Sequence, residues 1–593
     1  MPNFRKLYTP WGETLDTEHP LQEYPRPQLV RQSYLNLNGP WDYAIRQDFA
    51  LPTSFDGKII VPFSPETLLS GVGRQLKSEE VLWYRRKFTL PEGFCPEGGS
   101  VLLHFGAVDQ VADVYINGQE AAHHEGGYLP FETDITKYLQ PGSNSIIVRV
   151  MDSLVDNPYA YGKQKYDAAG IWYTATSGIW QTVWLEAVPR TYIRRIKITP
   201  DLDKETVSFD ITTSRPETVS ISVTAEGREV AYGRSNELGQ CTLFLSRSIP
   251  WSPEHPFLYQ VRLTVGEDEV ESYFALRKFS TVMHKGRRVL ALNNRPYFHN
   301  GLLDQGYWSD GMYTAPSDEA MIHDIQTMKD LGFNMLRKHI KIEPLRWYYH
   351  CDRLGMLVWQ DMVNGGELPR PMLTQVLPFL GLHVSDDHHY RRFGRESALG
   401  RRIFMQDMEE TVQHLYNCPC IAVWVPFNEG WGQFDSVLVT ARLRQLDPTR
   451  SIDHASGWHD QGAGDLKSEH VYYRPVKIKN DGARVLALTE FGGYAYPIKE
   501  HFAGKKEFGY RIYRTKAEYV RALKKLYEKE VTPLIESQGL SAAVYTEVSD
   551  VEDELNGILT FDRKVCKVDP ADLLPVMQQL RFKAEPTATA AEE

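Results

Sequence analysis

At 593 residues the chain is too long for one ordinary domain, and a prior of about 150 residues per domain points to three or four. Its 42% hydrophobic and 24% charged residues are ordinary for a soluble globular protein, and a net charge of −11 with no concentrated Lys/Arg face argues against nucleic acid or any other polyanion as a partner. No apolar run approaches a membrane span, the first residues carry no apolar signal core, and the 6 cysteines are scattered, so free thiols and a cytoplasmic location are expected.

Residues 1–189 read as all-β. Short strands recur between turns at Leu82–Thr89, Val101–Phe105, Ala112–Ile116 and Asn144–Val150, and Asn117-Gly118 is a strong hairpin signal. This spacing predicts a jelly-roll sandwich. Residues 190–280 continue with period-two strands such as Val207–Ile211 and Val219–Val223, which predict an immunoglobulin-like β-sandwich acting as a spacer.

From residue 281 to 583 strands alternate with helices. Ser317 caps a helix with Asp318 and Glu319 in its first turn, and a long helix is expected near 397–417. Strands are expected at Tyr297–Gly301, Asn334–His339, Met356–Asp361, the run before Glu429, Ser451–Ala455, His470–Tyr473, the run around Glu490, and Ala542–Glu547. Eight βα units in about 300 residues predict a (β/α)8 TIM barrel, whose sites lie at the C-terminal strand ends. The small, polar tail at 584–593 is expected to be disordered.

Two stretches of the barrel share one grammar. Ile421–Phe427 is an apolar run that ends in Asn428-Glu429-Gly430-Trp431, and Val485–Leu488 runs into Thr489-Glu490-Phe491-Gly492. One carboxylate behind an apolar run can merely cap a strand or pair with an arginine. Two of them, at two strand ends of a barrel, supply the acid/base and the nucleophile or base that glycoside hydrolysis needs.

These motifs resemble the acid/base and nucleophile motifs of glycoside hydrolase family 2, which includes β-galactosidases, β-glucuronidases and β-mannosidases. Trp83-Tyr84-Arg85, Val114–Gly118 and Ser177–Glu186 resemble that family's N-terminal sugar-binding domain, and the likeness covers nearly all of residues 30–575. It implies a retaining mechanism with Glu490 as nucleophile and Glu429 as acid/base. It also implies that Asn428 bonds the sugar 2-hydroxyl and that Tyr472 contacts the nucleophile. The Tyr- and Gly-rich stretch from Asn157 to Trp172 is the candidate for a loop reaching the rim of the site.

Other strand ends supply further substrate-binding candidates: Asp304, Trp308, Arg337, His339, Trp359, Asp361, Trp431, Trp458, His470 and Tyr545, each with a structural role as the alternative. No His/Asp/Glu spacing suggests a metal, and no cofactor is expected. The chain also departs from the family in places. Glu554-Leu555-Asn556 stands where β-glucuronidases carry an Asn-x-Lys pair, and an acid there would repel a uronate. Trp359-Gln360-Asp361 is similar to the β-mannosidase version, Arg337-Lys338-His339 matches neither group well, and Asp304–Pro316 is not the usual galactosidase loop.

The expected function is therefore a retaining exo-β-glycosidase acting on small glycosides. A β-galactosidase-like sugar preference leads, and a β-mannosidase-like or other β-glycosidase is the alternative. A non-catalytic carbohydrate-binding protein on a retired scaffold is the reading from a different class. A homo-oligomer is a further expectation.

Overall fold

The computed structural model describes residues 5–583 except 155–156, 368–369 and 381, so the tail expected to be disordered lies outside the described residues. The first domain is a jelly roll of two facing antiparallel sheets. The larger runs Gly57–Val61, Gly39–Arg46, Val81–Thr89, Ser143–Met151, Val111–Ile116 and Gln119–Glu125; the smaller runs Tyr34–Asn36, Val183–Val188, Ser100–Phe105 and Phe131–Asp134. Trp41, Ile59, Tyr84, Phe105, Val114, Val148 and Leu185 pack between them. The Asn-Gly signal forms a two-residue hairpin turn: Ile116 pairs with Gln119, and Asn117 and Gly118 take φ of 50° and 81°.

The second domain is an immunoglobulin-like sandwich. A sheet of Ile193–Asp201, Thr206–Thr213 and Gln240–Phe244 faces one of Arg228–Arg234, Ser220–Ala225, Tyr259–Val265 and Asp268–Phe274. Its alternating positions Val207, Phe209 and Ile211 point into the core, as period two requires.

The third domain is a barrel of eight parallel strands. They are β1 (His299–Asp304), β2 (Met335–Lys338), β3 (Leu357–Asp361), β4 (Ile421–Val425), β5 (Ser451–Ile452), β6 (Leu466–Val471), β7 (Val485–Gly492) and β8 (Leu540–Thr546). They hydrogen-bond in the order β5-β4-β3-β2-β1-β8-β7-β6, which closes the barrel except between β5 and β6. β1 starts two residues later than expected and runs on to Asp304, and β6 lies earlier than expected, ending at Val471. Helix α1 (Asp318–Asp330) starts where expected, with the Ser317 side chain accepting from the Ala320 amide, and α2 (Leu345–Leu354) and α3 (Ala398–Leu415) follow on the outside.

Below the site, Leu303, Met335, Leu357, Trp359, Val423, Ala487 and Val544 fill the barrel. A hairpin (Phe279–His284 with Arg287–Leu292) and Trp251 pack against this layer. The jelly roll reaches the opposite, upper end. Its loop pairs Ala160 with Gly365, donates the Tyr161 and Gly162 amides to Asn364 O at 3.0 and 3.1 Å, and donates the Tyr161 hydroxyl to Gly366 O at 2.6 Å. All six cysteines are free thiols, and among the described residues no helix is long and apolar enough to cross a membrane.

Candidate active site

Arg337, fully buried on β2, is the hub of the upper barrel. A buried guanidinium is tolerable only when its donors are paired. Its Nε and Nη2 reach the two oxygens of Asp361 on β3 at 3.0 and 3.1 Å. Nη2 also donates to Asn428 Oδ1 at 2.9 Å, and Nη1 to Glu490 Oε1 at 3.1 Å. One side chain thus ties together three strand ends distant in sequence. His339 Nδ1 meets Asp361 Oδ2 at 2.8 Å, the carboxylate oxygen accepting.

Glu490 lies on β7 beside His470 of β6, directly paired in register. Tyr472 donates to Glu490 Oε2 at 2.5 Å and bonds Thr546 Oγ1 at 3.0 Å. Burial alone would raise the Glu490 carboxyl, but the charges of His470 and Arg337, and the Tyr472 hydrogen bond, outweigh it and hold the group below its ordinary value.

Glu429 lies four residues beyond β4, where an isolated bridge of Asn428 to Ser456 extends the wall of the barrel. Its φ of 51° is in the left-handed region, unusual for a residue with a side chain and the kind of strain that concentrates at functional sites. Gly430 follows because a Cβ there would lie 2.8 Å from the His459 ring. Glu429 Oε1 meets His470 Nδ1 at 2.8 Å, and His470 Nε2 meets Ser456 Oγ at 3.1 Å. Burial raises the Glu429 carboxyl; the His470 hydrogen bond opposes this and the charge of Glu490 reinforces it, leaving the group above its ordinary value.

An oxygen of each carboxylate and the intervening His470 nitrogen lie within 4.8 Å of one another. Two carboxyls at this separation, one favouring the proton and one the charge, form an acid and a nucleophile in waiting. The same trio could hold a divalent cation, as could the surface trio Asp387, His388 and Asp435.

Aromatic rings wall the site. Tyr472 stacks on Tyr510 at 3.7 Å, Trp458 lies 6.1 Å from His470, and Trp431 lies 6.5 Å from His339. Trp431 also stacks on Trp172 of the jelly-roll loop at 5.1 Å. Of the residues singled out in the sequence, Glu429, Glu490, Asn428, Arg337, His339, Asp361, Trp431, Trp458, His470 and Tyr472 come together here.

Four others do not. Trp359 points down the barrel, fully buried in the layer beneath, and donates its indole N–H to His299 at 2.9 Å. Tyr545 faces outward, because side chains on β8 alternate: its hydroxyl accepts from the Tyr494 amide at 3.1 Å, and its ring packs where a Cβ on Gly492 would lie. Asp304 also faces outward and pairs with Lys338 at 2.7 Å. Trp308 packs edge-on to Trp11 at 6.4 Å and beneath Arg563 at 4.2 Å. Sequence reading places all four by closeness to a strand end, whereas parity sends Asp304 and Tyr545 outside the wall, depth puts Trp359 a layer below Asp361 on the same inner face, and Trp308 lies beyond its strand. It passed over Tyr510, in a stretch with no strand pattern, and Lys163, the buried lysine of the loop singled out as the rim.

The chain matches the sugar binding domain of glycosyl hydrolases family 2 over residues 74–189, a further domain of glycosyl hydrolases family 2 over 191–277, and the family's TIM barrel domain over 285–489. A β-galactosidase of Thermoanaerobacter pseudethanolicus is 24% identical over 505 residues, 79% of this chain and 62% of the relative. A β-glucuronidase of Rattus norvegicus is 26% identical over 409 residues, 63% of this chain and 59% of the relative. The chain thus spans about three fifths of the length of these two curated relatives. A solved structure, a β-glucuronidase of an uncultured Clostridium sp., superposes with a TM-score of 0.73 at 17% identity, covering 93% of this chain and 99% of that one.

Proposed function

The chain belongs to glycosyl hydrolase family 2, and from that premise we propose that it is a retaining exo-β-glycosidase, with a β-galactoside as the leading substrate. The observation that carries the reading is the pair Glu429 and Glu490, with oxygens within 4.8 Å of each other and carboxyls biased toward opposite protonation states. Retaining enzymes hold their carboxyls about 5–5.5 Å apart, whereas inverting ones leave about 6.5–9.5 Å for a water.

In the first step Glu490 attacks the anomeric carbon as a carboxylate. Arg337 and Tyr472, bonded to its two oxygens, keep it ionised and aimed. Glu429 gives its proton to the leaving oxygen. Because Oε1 faces His470, Oε2 is the oxygen free to carry that proton. In the second step the Glu429 carboxylate takes a proton from water, which displaces the sugar from Glu490. Asn428 Oδ1 is held by Arg337, and its Nδ2 has no partner among the described residues, which leaves a donor for the sugar 2-hydroxyl.

The β-galactosidase relative supports the leading sugar. The glucuronidase relatives point to a uronide, but Glu554, bonded to Tyr173 and Asn556 beside the site, disfavours a further carboxylate. The β-mannosidase-like alternative loses part of its support, since Trp359 lies below the pocket.

The test is a panel of aryl β-glycosides (galactoside, glucoside, mannoside, glucuronide and xyloside) run with wild type and Glu490→Gln. The galactoside is expected to react fastest, to release the β-anomer first by NMR, and to lose at least about a thousandfold in the variant. Release of the α-anomer would sink the retaining mechanism. Turnover undiminished in Glu490→Gln would sink the nucleophile.

A further inference from the structure

Next to the catalytic pair lies an ion network that is incomplete. Lys163, on the jelly-roll loop, is only 6% exposed, and its ammonium sits 5.2 Å from the centre of the Tyr173 ring. Among the described residues no carboxylate pairs with it. Tyr173 donates to Glu554 Oε2 at 2.6 Å and Asn556 to Oε1 at 2.9 Å, so Glu554 is satisfied from within the protein. Glu547, just after β8, is fully buried; Gln305 donates to its Oε2 at 2.7 Å, while Oε1 has no partner among the described residues. The residue before it, Thr546, bonds Tyr472, which bonds Glu490, so this corner adjoins the catalytic pair.

A buried cation without an anion and a buried carboxyl oxygen without a donor are each costly. The two belong to one corner: Lys163 lies over Tyr173, Tyr173 and Asn556 both bond Glu554, and the Glu547 amide donates to Asn556 O at 3.2 Å, so a group bound in this corner can answer both. The field of Lys163 reaches the pocket: it opposes the rise that burial imposes on Glu547, and after burial it is the next largest influence holding His339 below its ordinary value. A hydroxyl fits such a gap, because it accepts from the ammonium and either donates to or accepts from the Glu547 carboxyl, whichever state that group takes. A carboxylate would pair with Lys163 but would bring a further negative charge beside Glu554.

We propose that Lys163 and Glu547 grip hydroxyls of a neutral pyranoside on the side remote from its anomeric carbon, so that the jelly-roll domain supplies a specificity-determining residue to the barrel site. The proposal rests on the glycosidase reading above and deepens it. It assigns the pocket to neutral sugars with a free hydroxyl at that corner and excludes uronides as the preferred class.

The experiment uses full-length protein, the best aryl glycoside of the panel, and its 3-, 4- and 6-deoxy analogues. Wild type is expected to lose about 10- to 100-fold in kcat/KM on one of these analogues, the range of a hydrogen bond to a charged group. Lys163→Met is expected to lose as much on the parent glycoside and nothing further on that same analogue. Glu547→Gln is expected to weaken the same analogue contrast. Thermal melts show whether each variant is folded. If Lys163→Met does not fold, the wild-type deoxy series and Glu547→Gln decide. Wild type indifferent to all three deletions, Lys163→Met within twofold of wild type on the parent, or a uronide turned over faster than its neutral counterpart would overturn the proposal. Failure of the glycosidase reading shows differently, as no turnover of any aryl glycoside.

Discussion

Arg337 and Lys338 are neighbours on β2, yet they organise two separate ion networks on the two faces of one barrel wall. Successive side chains on a strand point to opposite sides, so Arg337 enters the barrel and Lys338 leaves it. Inside, Arg337 binds Asp361, Asn428 and Glu490. Outside, Lys338 binds Asp304 at 2.7 Å and Glu343 at 2.8 Å, and Lys341 binds Glu343 at 2.9 Å and the carbonyls of Gly306 and Tyr313. Both networks are buried, so burial alone does not tell a site from a brace.

The difference lies in how each network treats its acids and in whether it is complete. Outside, despite the opposing effect of burial, Lys338 is held above its ordinary value and Glu343 below its own, so both stay charged. Lys341 is dragged down to about 8 by burial, yet it remains mostly charged at neutral pH. Inside, two chemically identical groups are pushed apart, Glu429 up and Glu490 down, and Asn428 keeps a donor unused. A network that only braces favours the charged form of its members and satisfies them. A network for acid–base work splits like groups and leaves atoms for the substrate.

Neutralising the two cations separates these roles most sharply. Arg337→Met removes the charge that keeps Glu490 ionised and the donor that aims it, so kcat is expected to fall by about 10²–10³-fold. Lys338→Met leaves Asp304 and Glu343 buried with less compensation. It is expected to cost about 3–5 kcal/mol in denaturant unfolding while kcat of the folded protein stays near wild type. A Lys338→Met enzyme that is stable but slow would break the comparison.

A subtler effect comes from His470, which bonds Glu429 Oε1 at 2.8 Å and lies 3.6 Å from Glu490 Oε2. Activity requires Glu490 ionised and Glu429 protonated. The acid limb of the pH profile should therefore lie below the ordinary carboxylate range and the alkaline limb above it. His470 lowers both groups, so its removal raises both. In His470→Ala both limbs of kcat/KM are expected to move to higher pH. A lower maximum with unmoved limbs would show that His470 only positions Glu429.

Much of this was legible in sequence because it rests on local pattern. The apolar runs into Asn428-Glu429 and Thr489-Glu490 mark strand ends, and the count of eight strands fixes the barrel. Side-chain parity was harder. With strand ends uncertain by a residue or two, nearness to an end assigns neither the outward facing of Asp304 and Tyr545 nor the depth of Trp359, which shares the inner face with Asp361 but lies a layer below it. Lys163 and Tyr510 were hidden for another reason. They enter the site from a loop of another domain and from an irregular segment, and only tertiary packing brings them there.

The smallest expected effect concerns the jelly-roll domain. Trp172 comes from the jelly roll, its ring 5.1 Å from Trp431 and 4.0 Å from the Lys165 ammonium. An aromatic pair contributes about 0.5–1.5 kcal/mol beyond its buried area, so Trp172→Ala should raise KM by roughly 2- to 12-fold. Its ring meets Trp431 and Lys165 at the rim, and a wall that binds ground state and transition state alike leaves kcat unchanged. A fall in kcat at constant KM would mean that the jelly-roll loop aligns the reacting groups rather than lining the entrance. The line between brace and site would then run through the domain interface as well as through the barrel wall.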